Sequence, residues 1–334
     1  MAVRRIAILG DGQMGLVMAD LFAFAAGREV SLWCPLGGDA GLVATRTSPR
    51  LPGFRLPATV TVTADAKAAL DGAELVVNAI PTQFIRPAVA RIRPALPPAA
   101  GILNAAKGLE TTTRLRPSEI LRETSGPRRI ATLSGPSIAA ELARRLPAVF
   151  VAASDDLAFA EECRDLCVSP WTRVYSSDDL LGVELAGAVK NVIAIAAGMI
   201  DGLGLGNNAK SALLARGLAE ISRLGVALGA KAETFFGVAG VGDLATTCFS
   251  PEGRNRSFGE LVGQGRTPDE ALGSMTSVVE GVPTAAAVVE WARRTGVELP
   301  ICAAVARILD GSLAPREALA DLMGRPSRHE RVAR

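Results

Sequence analysis

Gly10-Asp11-Gly12-Gln13-Met14-Gly15 follows a short apolar run and precedes an apolar stretch of helical periodicity. Gly-x-Gly-x-x-Gly in that setting is the pattern of a dinucleotide-binding turn. The first glycine permits the tight turn, the second lets a pyrophosphate approach the backbone, and the third lets helix and strand pack closely. The helix N-terminus then offers free N–H groups and the positive end of its dipole to the phosphates. A second cluster, Val189-Lys190-Asn191, lies inside an otherwise apolar helical stretch at 180–200. An amine there is costly to bury without partners, and burial favours the neutral form that proton transfer draws on. The competing structural role is a lysine that runs its stem along the helix and keeps its amine in water. Lys107-Gly108-Leu109-Glu110 follows a strand-like run at 102–105, at the sheet edge where ligands bind in such folds. Gly135-Pro136-Ser137 follows the next strand, opens a helix and offers another anion site. Gly242-Asp243 and Arg254-Asn255-Arg256 add a carboxylate and a guanidinium cluster suited to phosphate.

A dinucleotide site selective for NAD carries an acid at the end of its second strand, bonded to the ribose 2′-hydroxyl. Here that strand ends Leu32-Trp33-Cys34-Pro35, and the next acid is Asp39. Nothing there repels a 2′-phosphate, and Arg46 or Arg50 would reach one if the following loop folds back. NADP is therefore the favoured cofactor, with NAD still open.

Composition narrows the chemistry. The one histidine, His329, lies near the C-terminal end, so a histidine base is not expected. Five cysteines with no CxxC pair, beside a single histidine, argue against zinc and for reduced thiols in a cytoplasmic protein; no metal is expected. Only five of the 36 basic residues are lysine: Lys67, Lys107, Lys190, Lys210 and Lys231. Arginine cannot release its proton near neutral pH, whereas a desolvated lysine can, so the retained lysines mark positions where an amine is needed. The net charge is +2, and the last ten residues hold four arginines against Glu330. The body of the chain is close to neutral, without a nucleic-acid footprint. No uncharged apolar run reaches the length of a membrane span, and Gly10 and Asp11 cut the N-terminal run too short for a signal peptide.

The elements that must position these residues change character along the chain. Strand-like runs at 5–9, 30–33, 60–63, 75–80, 102–105, 129–133 and 148–153 alternate with helical stretches such as 14–26, 66–70 and 87–92. This predicts a mainly parallel sheet covered on both faces. From about residue 178 helical stretches dominate, at 180–200, 209–228, 267–272, 284–294 and 303–310. The expected architecture is α/β: a Rossmann-type dinucleotide-binding domain over 1–186, an all-helical substrate-binding domain over 187–324, and a basic tail over 325–334. Residues 34–56 read as a long loop. The helical, apolar second domain is compatible with a homodimer.

In this order and spacing, the stretches GDGQMG (10–15), NAIPTQFIR (78–86), KGLE (107–110), LSGPSIAAE (133–141), ELAGAVKNVIAIAAGMIDGLGLGNN (184–208), VGDLATTCFSPEGRNRSFG (241–259) and VEGVPTA (279–285) resemble the NAD(P)-dependent glycerol-3-phosphate dehydrogenases, the bacterial type in particular. The resemblance implies reversible, NAD(P)H-dependent reduction of dihydroxyacetone phosphate to sn-glycerol 3-phosphate, which supplies glycerophospholipid synthesis. It also implies roles. Lys190 would be the general acid at the carbonyl, and the base in reverse. Lys107 would polarise the same oxygen and, as a neighbouring cation, favour proton release from Lys190. Asp243 would orient the amine or a substrate hydroxyl. Arg254 and Asn255 would hold the substrate phosphate, with Gly135 and Ser137 lining the same pocket. Gln13, Met14, Lys107, Ala139, Arg254 and Glu280 match cofactor-contacting positions, beside the three glycines of the turn. Three departures stand out: Gln13-Met14 for a small-plus-aromatic pair, Pro35 where a basic residue often follows the tryptophan, and Gly253 where serine often precedes Arg254.

Two other readings stay open on sequence alone. The stretch 9–27 also resembles the β-hydroxyacid dehydrogenases related to the 6-phosphogluconate enzymes, although KGLE and GDL…RNR have no place in that pattern. A non-catalytic dinucleotide-binding sensor could retain the same fold.

Overall fold

The apolar runs of the first half form eight strands: β1 Arg5–Leu9, β2 Glu29–Trp33, β3 Val60–Thr63, β4 Leu75–Asn78, β5 Gly101–Asn104, β6 Ile130–Ser134, β7 Ala148–Ala153 and β8 Thr172–Ser177. They make one sheet in the order 3-2-1-4-5-6-7-8, parallel throughout except for the β6/β7 pair. Alternate residues feed separate cores on its two faces. Ile6, Ile8, Leu75 and Val77 pack with Leu16, Met18, Phe22 and Phe159 on one face. Ala7, Leu9 and Val76 pack with Leu70, Ile85, Val89 and Leu121 on the other. This is the expected Rossmann-type sheet, followed by a helical region. The computed structural model describes residues 3–36, 39–275, 278–326 and 329.

Several expectations need correction. β8 was not anticipated: at the sheet edge it is half polar, with Thr172 and Val174 buried and Arg173 lying over Tyr175, so no apolar run marks it. The stretch 34–56 is not one long loop, because Asp39–Thr45 is helical. The basic tail lies largely outside the described residues, which include only 325, 326 and 329 of it. Two compact units emerge, residues 1–106 with 115–180, and residues 107–114 with 181–334. The expected division at 186/187 would fall inside the continuous helix Leu180–Gly202.

The helix Leu180–Gly202 carries Lys190 within its apolar run. By length and composition it is apolar enough to cross a bilayer, but 89% of its most apolar window is buried within the protein. It runs through the core of the helical unit, where Val189, Val192, Ile193 and Ile195 meet Leu213, Phe235, Phe258 and Val288. Two Gly-x-x-x-Gly pairs, Gly198/Gly202 and Gly259/Gly263, bring it against the helix Arg254–Gly263 at backbone distance. A Cβ on Gly198 would collide with the Arg256 carbonyl oxygen, and one on Gly259 with that of Ile195. The stripe that makes this contact begins a few residues after Lys190 and Asn191. On the partner helix, Arg254 and Asn255 open the first turn.

Gly259→Ala is expected to force the two helices apart and to lower stability by about 1–3 kcal/mol in urea unfolding. Gly273→Ala, which meets nothing within 4 Å, is the control and should be neutral or slightly stabilising.

Candidate active site

The helical unit collects three of the singled-out residues into one buried cluster. Lys190 projects from the helix Leu180–Gly202, Asp243 opens the helix Asp243–Phe249, and Lys107 arrives on the 107–114 excursion. Asp243 is 1% exposed and Lys190 6%. One carboxylate serves both amines: Lys107 Nζ donates to Asp243 Oδ2 at 2.5 Å, and Lys190 Nζ donates to Oδ1 at 2.7 Å. Lys190 Nζ also donates to Thr247 Oγ1 at 2.6 Å, and that hydroxyl donates to the Asp243 carbonyl at 2.6 Å. Two ammonium hydrogens of Lys190 are thereby engaged, and the third has no partner among the described residues.

Asp243 owes its position to an uncommon local turn. Val238–Gly242 forms one turn of π-helix immediately before it. Gly240 makes this possible, because a Cβ there would strike the Phe235 carbonyl. Such turns are rare and are often found at functional sites.

Burial and charge act together on the cluster. Burial pushes the Lys107 amine down, Asp243 pulls it up and Lys190 pushes it down again, leaving it at about 8. Burial works against ionisation of Asp243, but Lys107 and Lys190 outweigh it and hold the carboxyl below its ordinary value. Glu280 shifts upward through burial, against the opposing pull of Arg254, Lys190 and Lys107. Arg254 donates to the Val278 carbonyl at 3.2 Å, and Asn255 Oδ1 accepts from Gly281 N at 2.8 Å. Lys107, Lys190, Asp243, Arg254, Asn255 and Glu280 therefore all belong to the helical unit. Chemically, the cluster can deliver a proton from an amine and stabilise developing negative charge beside it.

The remaining predicted residues belong to the sheet unit. Gly10 has φ +103°, and its N–H donates to the Trp33 carbonyl at 3.0 Å, tying the turn to the end of β2. A side chain on Gly15 would collide with the Gly10 carbonyl, whereas a Cβ on Gly12 would meet nothing within 4 Å. Gly12 caps the helix Gln13–Ala23 without a side-chain hydrogen bond, and the first turn carries no acid. Open space beside uncapped N–H groups at a positive helix end fits a dinucleotide pyrophosphate. The Gln13 amide donates to the Arg50 carbonyl at 2.6 Å, and Met14 packs against the core. Gly135 is buried with φ +133°, Ser137 is half-buried, and Ala139 begins the helix Ala139–Ala143. That helix has only five residues and starts two positions beyond Ser137, so the expected helix-terminal anion site is not formed as predicted.

Comparison with known proteins supplies the family. Residues 5–160 match the profile described as NAD-dependent glycerol-3-phosphate dehydrogenase N-terminus, and residues 179–320 match its C-terminus. This chain belongs to the NAD-dependent glycerol-3-phosphate dehydrogenase family. It is 44% identical over 327 residues to the glycerol-3-phosphate dehydrogenase [NAD(P)+] of Moorella thermoacetica, covering 97% of each chain. It is 45% identical over 333 residues to that of Aromatoleum aromaticum, covering 98% of this chain and 100% of the relative. The crystal structure of the Coxiella burnetii glycerol-3-phosphate dehydrogenase superposes with a TM-score of 0.91 at 36% identity, over 97% of this chain and 99% of that one.

One group in this family member escaped the sequence reading. Thr247 holds Lys190 directly; its signal was the i,i+4 spacing from Asp243 on a helix. Asn191, beside Lys190, is buried at 3% exposure, and its side-chain N–H₂ has no protein partner among the described residues.

Asp243→Asn leaves two buried amines without their carboxylate. The expected cost is about 3–5 kcal/mol in denaturant unfolding. Lys107 should then lose its proton below pH 8, because the charge that raises its pKa is gone. Acylation of that amine followed by mass spectrometry across pH measures the shift, and an unmoved midpoint contradicts the electrostatic account.

Proposed function

We propose that this chain reduces dihydroxyacetone phosphate to sn-glycerol 3-phosphate with NADPH or NADH, reversibly, and so feeds glycerophospholipid synthesis. The observation that carries the reading is the buried Lys107–Asp243–Lys190 cluster, in a chain whose full-length relatives are named glycerol-3-phosphate dehydrogenase [NAD(P)+]. Family membership sets aside the β-hydroxyacid alternative, and an assembled proton-donor cluster weighs against a non-catalytic sensor.

The nicotinamide of the bound cofactor would supply the hydride for the ketone carbon. Gly10, Gly12 and Gly15, with the free N–H groups of the helix Gln13–Ala23, would hold the pyrophosphate. Gln13, Met14, Lys107, Ala139, Arg254 and Glu280 remain proposed cofactor contacts. Lys190 would give its unengaged proton to the carbonyl oxygen and recover it from the alcohol in reverse. Lys107, charged at neutral pH, would stabilise the developing alkoxide. Asp243 and Thr247 would fix the amine's direction without touching substrate. Arg254 and Asn255, in the uncapped first turn of the helix Arg254–Gly263, would hold the phosphate dianion; Gly135 and Ser137 remain proposed substrate contacts. Three cations, Lys107, Lys190 and Arg254, against the ionised Asp243 suit a doubly charged ligand.

A cytoplasmic location and a homodimer belong to the same proposal. Four buried cysteines outside any disulfide, Cys163, Cys167, Cys248 and Cys302, support a reducing compartment. Exposed Phe236 and Phe249 on the helical unit support self-association. Sedimentation that returns only monomer removes the dimer, and targeting of a tagged chain to another compartment removes the location.

Oxidation of NADPH or NADH with dihydroxyacetone phosphate tests the activity directly. Lys190→Ala should lower turnover about 10²–10⁴-fold while dinucleotide binding, followed by titration, persists. Near-wild-type turnover in this variant would falsify the acid assignment. The pH profile carries a separate expectation. Lys107 is cationic below its pKa of about 8 and neutral above it, so kcat/KM for the ketone should fall as pH rises through about 8. Lys107→Met should lower the rate and abolish that limb; a limb that survives assigns the titration to another group.

A further inference from the structure

The end of β2 is where a dinucleotide fold meets the adenosine ribose. Gly10 N donates to the Trp33 carbonyl there, so this strand end and the phosphate turn are one hydrogen bond apart. Beyond Trp33 stand Cys34 and Pro35, and neither carries charge. A cation arrives from elsewhere. Arg91, in the last turn of the helix Thr82–Ile92, donates through Nη2 to the Pro35 carbonyl at 2.9 Å. Its guanidinium lies 4.8 Å from the centre of the Trp33 ring. Trp33 is itself fixed, 1% exposed and donating through its indole N–H to the Ala64 carbonyl at 3.0 Å.

The arginines of the following loop are committed differently. Arg50 pairs with Asp11 Oδ2 at 3.0 Å, so its charge is already compensated. Arg46 donates to the Val60 carbonyl at 2.7 Å from a residue with φ +58°. Arg91 pairs with no carboxylate among the described residues. It spends one donor on a neutral carbonyl and lies against an aromatic ring, which leaves its charge and most of its N–H groups available. A planar, always-charged fork held this way is suited to bidentate phosphate binding.

We infer that Arg91 recognises the ribose 2′-phosphate of NADP(H), taking the place of the acid that an NAD-selective site carries at the end of its second strand. The inference rests on the dinucleotide-binding reading proposed above. The cation comes from a different element and grips the Pro35 backbone.

The test is calorimetric binding of NADP⁺, NAD⁺, 2′,5′-ADP and 5′-AMP to the full chain, with Arg91→Gln, Arg91→Lys and Arg50→Gln alongside wild type. Loss of a charge-assisted phosphate contact should lower the NADP⁺/NAD⁺ affinity ratio about 10–100-fold in Arg91→Gln. The 2′,5′-ADP/5′-AMP ratio should fall in parallel. Arg91→Lys should keep an intermediate preference, which separates lost charge from lost folding. Three results overturn the inference: a wild type that does not prefer 2′,5′-ADP over 5′-AMP, an Arg91→Gln variant that weakens all ligands equally, or a ratio that moves with Arg50→Gln instead. Wild type that binds neither dinucleotide sinks the dinucleotide reading as well. Wild type that turns over substrate, with an unmoved ratio in Arg91→Gln, sinks the Arg91 assignment alone.

Discussion

One carboxylate shared by two lysines is the interaction on which the site depends. Two ammonium groups brought together in a buried, low-dielectric place repel each other and lose hydration. Asp243 makes the arrangement tenable by offering one oxygen to each. The surrounding construction serves that geometry. The π-turn at Val238–Gly242 delivers the carboxylate, and the glycine contact between Leu180–Gly202 and Arg254–Gly263 fixes the helix that carries Lys190. The excursion 107–114 places Lys107 in the same unit as its partner.

The sheet unit prepares the start of that excursion with polar groups in an otherwise apolar layer. Asn78 and Asn104, the last residues of β4 and β5, are fully buried and joined by a 2.8 Å hydrogen bond. Asn104 also donates to the Ala106 carbonyl at 2.9 Å and accepts from the Ala106 N–H at 3.1 Å. The turn that follows β5 is therefore pinned one residue before Lys107. Buried amides are tolerable here because their partners are built in.

Much of this was legible in the sequence, for reasons that also explain what was not. Seven strands were visible because both faces of a parallel sheet are covered, which leaves apolar runs such as Leu75-Val76-Val77. β8 was invisible because an edge strand such as Thr172–Ser177 needs no such run. The glycine turn was readable because each of its glycines answers a separate steric demand. Thr247 and Arg91 were not singled out. The former acts through one hydroxyl on a short helix, and the latter reaches the cofactor strand from a helix more than fifty residues further along the chain. Contacts set by tertiary packing leave no local periodicity.

The scarcity of lysine was a real but incomplete guide. Lys107 and Lys190 meet at Asp243, yet Lys210 is equally scarce and 6% exposed. It is held by Asp201, which also pairs with Arg256, and it lies 5.2 Å from the Phe249 ring centre. Lys67 and Lys231 are on the surface. Burial of an amine therefore does not by itself separate a proton donor from a structural cation. What distinguishes Lys190 is an unengaged hydrogen beside a second cation whose pKa has fallen to about 8. In a chain whose one histidine stands near its end, and whose arginines keep their protons, that arrangement is what sets the Lys190 amine apart from the equally buried Lys210.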